Sequence, residues 1–80
     1  MTKAQRLKRS GFKKIKYSSD DLMAFLENDV SHVHFKTEQG KVSAWTEDGL
    51  IGAGGKDMKE ALEWLIIARF EKDNPLPENE

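Results

Sequence analysis

Cysteine is absent from the chain, so neither a disulfide framework nor a thiolate zinc site can hold the fold, and stability must come from packing. Long apolar runs are missing as well. The longest, Trp64 to Ala68, has five residues against the roughly 20 that a membrane helix needs. The first residues are basic with no apolar stretch behind them, so no export signal is visible. A soluble, cytoplasmic protein without membrane association is expected. What is present, 80 residues at 38% hydrophobic and 34% charged, suffices for one core but not for two.

Acidic residues are also missing from Met1 to Tyr17, and this absence is the strongest asymmetry in the chain. The formal net charge is −1, yet this stretch carries Lys3, Arg6, Lys8, Arg9, Lys13, Lys14 and Lys16 with nothing to balance them. The other six basic residues share the rest of the chain with all 14 acids. A block of like charge is often an arm that meets a polyanion or an acidic partner. The competing reading is a solvated face neutralised by the protein's own acidic half.

The pattern along the chain predicts a small α+β domain over residues 1–75, with a basic N-terminal arm (1–17) and a disordered acidic tail (76–80). Thr2 to Ser10 reads as a short helix with Gly11 as its C-terminal cap. Phe12 to Tyr17 then reads as an edge strand, with Ile15 and Tyr17 on one face and Lys14 and Lys16 on the other. Ser18 and Asp21 form a capping pair before Leu22, Phe25 and Leu26, which gives a helix over about Ser19 to Asn28. From His32 the period becomes two. Val33 and Phe35 alternate with His32, His34 and Lys36, and Gln39-Gly40 turns the chain into Val42, Ala44 and Thr46. Asp48-Gly49 supplies a second turn, followed by Leu50, Ile51 and the glycines at 52, 54 and 55 as a short strand or loop. Asp57 and Glu60 make a capping box for a helix whose apolar face is Met58, Ala61, Leu62, Leu65 and Ile66. The expected order is (α)β-α-β-β-(β)-α, an antiparallel sheet of three or four strands packed against two helices.

Few motifs carry chemistry. A phosphate loop would need glycine where Leu50 stands and a hydroxyl where Asp57 stands, so the glycines read as shaping a bend into the last helix. His32 and His34 lie on one strand face, but two imidazoles do not make a metal site, and no metal or other cofactor is expected. With no nucleophile motif present, no catalytic residue is assigned, and His32 and His34 remain the only candidate acid and base for a nuclease-like exception. Trp45 alternates against Val42 and Ala44, so it points outward if those two point inward. It is therefore the favoured contact residue, with His32 and His34 beside it. Trp64 reads as core or its flank.

The stretch from His32 to Ile67 resembles the end of a double-stranded-RNA-binding domain in Gly49, Gly52, Gly54, Gly55-Lys56, Lys59 and Ala61. That resemblance implies strands leading through a glycine-rich segment to a helix whose first lysines, here Lys56 and Lys59, grip phosphates. Small toxin and antitoxin domains of the HicA and HicB type share the scaffold. Leu7-Lys8-Arg9-Ser10-Gly11-Phe12 with Ser31-His32 resembles the toxin's opening elements and implies a catalytic role for His32. Gly52 to Leu62 resembles the antitoxin's glycine strand and the helix after it.

Two functions follow. One is a small non-catalytic regulatory module that binds RNA or DNA through Lys3, Arg6, Lys8, Arg9, Lys13, Lys14 and Lys16. The other is an inhibitor, adaptor or antitoxin that docks on a host protein through a sheet face around Trp45. An open sheet edge would also allow a homodimer.

Overall fold

The computed structural model describes residues 2–28, 32–47 and 49–76. Ser31, Asp48 and residues 77–80, on which parts of the sequence reading fall, lie outside the described residues. Three helices and one antiparallel sheet follow in the order α1 (Lys3–Arg9), α2 (Ser19–Glu27), β1 (Val33–Glu38), β2 (Lys41–Thr46), β3 (Gly52–Gly55) and α3 (Met58–Asp73). The sheet order is β1-β2-β3, with Phe35 opposite Ala44 and Ala44 opposite Ala53. This is an α+β domain. Among the described residues no helix is long and apolar enough to cross a membrane.

Local chemistry explains each helix start. Thr2 Oγ1 accepts from the Gln5 amide at 3.1 Å while Gln5 Oε1 accepts from the Thr2 amide at 2.8 Å, so two otherwise orphaned donors are satisfied at the head of α1. At α2 the Asp21 carboxylate reaches back to the Ser18 amide at 2.9 Å. At α3 Asp57 Oδ1 accepts from the Glu60 amide at 2.8 Å. The return arm of the expected capping box is displaced by one residue, for Glu60 Oε1 takes the Lys56 amide instead.

Helix α3 is the centre of the molecule. Ala61, Leu62, Glu63, Leu65, Ile66 and Ile67 are all buried, which covers more than one face of the helix. One side lies on the inner face of β2 and β3, where Val42, Ala44 and Thr46 point in. Another side meets Leu22 and Leu26 of α2, and a third meets Leu7 of α1.

The strand expected over Phe12 to Tyr17 does not form. Gly11, at φ +101°, ends α1 in a left-handed turn, and the chain then runs irregularly to Ser18. Phe12 is buried and Tyr17 half-buried. These two residues are five apart, a spacing that a period of two would place on opposite faces. Their rings meet edge to face at 5.0 Å, and Phe12 meets Phe25 of α2 at 5.4 Å. Ile15, expected to face inward, is 86% exposed. Aromatic packing outweighs the local alternation, and the sheet has three strands.

Gly55 fills a position where any side chain forces its neighbours to shift. A Cβ there would lie 2.7 Å from Glu60 Cβ and 2.9 Å from the Ala61 amide nitrogen, whereas at Gly54 the nearest atom is the Val42 carbonyl at 3.4 Å. Gly55→Ala should therefore cost roughly 1–3 kcal/mol in urea unfolding. Gly54→Ala should stay within about 0.5 kcal/mol of the parent.

Candidate functional site

The basic stretch is not a free arm. Helix α1 lies against α3 through buried Leu7, and this places Lys3, Arg6 and Arg9 in reach of two carboxylates on α3. Arg6 makes a fork with Glu71, Nε to Oε2 at 2.9 Å and Nη2 to Oε1 at 2.5 Å. Arg9 adds a looser contact to Glu71 at 3.9 Å and donates to the Pro75 carbonyl at 3.2 Å. Hydrogen bonds from Arg6 hold the Glu71 carboxyl below its ordinary range, helped by the charges of Arg6 and Arg9. The same fork raises the Arg6 guanidinium.

Glu63 is the second receiver. It is 6% exposed, accepts from Lys3 Nζ at 3.0 Å and accepts a very short hydrogen bond from the Tyr17 hydroxyl. Burial, and then the hydrogen bond to Glu63, push the Tyr17 phenol up to about 12. Lys59, one of the two lysines that the RNA-binding resemblance would aim at phosphate, lies 4.7 Å over the Tyr17 ring. Arg6 and Lys3 stand over the Trp64 ring at 5.2 and 5.8 Å, so Trp64 is a half-buried flank of the core capped by cations.

The sequence reading did not single out Glu63 and Glu71. The signal was available: Glu63, Ile67 and Glu71 are four apart on one helical stripe, the spacing that faces Lys3, Arg6 and Arg9 on a neighbouring helix. Of the other arm residues, Lys14 pairs with Asp21 at 3.0 Å on the surface. Lys8, Lys13 and Lys16 are exposed, with no carboxylate partner among the described residues.

The second predicted group comes together on the opposite side of the molecule. Because Val42, Ala44 and Thr46 are buried, Trp45 projects from the outer face of β2, away from the core. Its register partners are His34 on β1 and Gly52 on β3. The His34 ring stacks on the indole at 5.9 Å with an interplanar angle of 19°, and His32 meets His34 edge to face at 4.9 Å. Gly52 and Gly54 add no side chains to this face, and the indole beside them is half-buried. Leu50, 70% exposed, sits in the connection at the Trp45 end of the sheet. Lys36, Glu38 and Lys41 occupy the far end, where Lys36 and Glu38 pair in full solvent at 3.4 Å. Among the described residues no three histidines or acids converge on a point that could hold a metal ion.

No family model matches the chain, and no curated protein or solved structure matches it.

The Tyr17 to Glu63 contact ties stability to alkaline pH. Folding raises the phenol above its ordinary pKa of 10.0, so its contribution is complete below that value and is lost as the pH rises through about 12. The parent should lose stability steadily over that window in urea melts. Tyr17→Phe should be less stable at neutral pH and show a flatter decline across the same range.

Proposed function

We propose that this chain is a small, non-catalytic interaction module that docks on another protein through the outer face of its sheet, with Trp45 as the anchor. The observation that carries this reading is one-sidedness. Among the described residues the helix packing against the sheet lies on its inner face, while a stacked imidazole and indole, extended by His32, line the other, with exposed Leu50 in the connection at that end. A half-buried aromatic ring, stacked on an imidazole and flanked by a strand with only glycines on this face, presents an anchor at little entropic cost, which is the make-up of an interface hot spot.

Charge favours a protein over a nucleic acid as the ligand of this face. No lysine or arginine is in register with Trp45, and at the far end Lys36 and Lys41 share the single carboxylate of Glu38. The arm, the other candidate contact, directs Lys3, Arg6 and Arg9 to carboxylates of its own chain, which lowers the charge left for phosphates. A regulator acting by occlusion, as an inhibitor, adaptor or antitoxin does, needs nothing beyond such a face.

Peptides selected from a displayed random library against the immobilised protein should concentrate on this surface, because hot spots dominate selection. Trp45→Ala should weaken the dominant class by roughly 2 kcal/mol or more, about thirtyfold, with little effect of salt. His34→Ala should have a smaller effect, and circular dichroism should show both variants folded. Selected peptides that bind Trp45→Ala as well as the parent would refute the reading.

A further inference from the structure

Between α1 and the irregular segment that follows it lies a cleft of about 210 Å³, on the helical side of the molecule and remote from the Trp45 face. Buried Leu7 and Phe12 form its floor, and Ala4, Ile15 and Tyr17 its walls. Lys8 and Lys14 stand at its rim, and no acidic side chain lines it. Lys14 is met by Asp21, but Lys8, and Lys13 and Lys16 on either side of Ile15 in the chain, have no carboxylate partner among the described residues. Ile15, 86% exposed, is continuous with the other apolar walls of the cleft, so the exposed apolar surface here is a patch and not a single side chain.

We infer that this cleft receives an acidic segment of a partner protein, through one large apolar side chain flanked by glutamates or aspartates. Each half of the site selects against other polyanions. A phosphate backbone would satisfy the lysines but leave the apolar walls wet. An anionic membrane surface would meet Ile15 but could not reach Leu7 and Phe12 at the floor. A side chain can do both, and the space is sufficient, since an apolar cavity of about 150 Å³ already admits a benzene ring. The flanking carboxylates then find Lys8, Lys13 and Lys16, the cations that α1 and its following segment do not spend on α3.

Fluorescence polarisation of the full chain with a short labelled peptide, one phenylalanine between glutamates, tests the site. The peptide should bind at about 50 mM salt and weaken towards about 200 mM. Affinity should fall at least about tenfold when its phenylalanine is replaced by alanine, and equally in Ile15→Ser, whose exposed position leaves the fold intact. Trp45→Ala should bind the peptide as the parent does, which separates this site from the sheet face. Equal binding of the alanine peptide, parent-like binding by Ile15→Ser or no binding at low salt would each overturn the inference. So would duplex RNA or phosphatidylserine vesicles binding in an Ile15-dependent way in place of the peptide.

Discussion

A carboxylate placed as deeply as Glu63 must be paired, because an uncompensated charge away from water costs several kcal/mol. Here the pairing is supplied by Lys3 from α1 and by the hydroxyl of Tyr17 from the segment beyond it. Two turns further along the same helical stripe, Glu71 takes the fork of Arg6. These contacts join the first 17 residues to α3, across sequence separations of 46 to 65. Alone, a helix as short as α1 would not persist in water. Its buried Leu7 and this polar clamp hold it, and through it the position of Phe12 and the cleft beside it.

The clamp also decides what the surface can offer. A stretch of seven positive charges becomes, once folded, a helix whose Lys3, Arg6 and Arg9 are committed to α3, with Lys8 and, from the segment after it, Lys14 at an apolar cleft. On the outer face of the sheet no helix packs among the described residues, because α1 and α2 are engaged with α3 and α3 with the inner face of the strands. The two surfaces therefore differ in character, one aromatic at the Trp45 end and charged at the other, the second apolar with a cationic rim. They are separated by the thickness of the core.

Much of this was legible in the order of residues. The period of two from Val33 onward placed Trp45 on the face opposite Val42 and Ala44, and brought His32 and His34 to the same side. The spacing of Leu62, Leu65 and Ile66 after Asp57 identified α3. The segment from Phe12 to Tyr17 was misread because its alternation is real but its partners are not strands. Phe25 on α2 and Glu63 on α3 draw Phe12 and Tyr17 inward, contacts that no local pattern encodes. The ion pairs escaped for the same reason: local charge runs report what repels within a segment, and the neutralising acids lie 60 or more residues away.

The most direct test of this account is the salt dependence of duplex RNA and DNA binding, measured by fluorescence polarisation between about 50 and about 200 mM salt. The slope of log affinity against log salt is about −0.9 for each phosphate neutralised. With Lys3, Arg6 and Arg9 held on α3 and Lys14 paired with Asp21, three of the seven cations are left, and the account predicts either no measurable binding or a slope no steeper than about −3. A slope near −6, the value for all seven basic residues acting together, would mean that the segment leaves α3 to grip the polyanion, and would contradict the account.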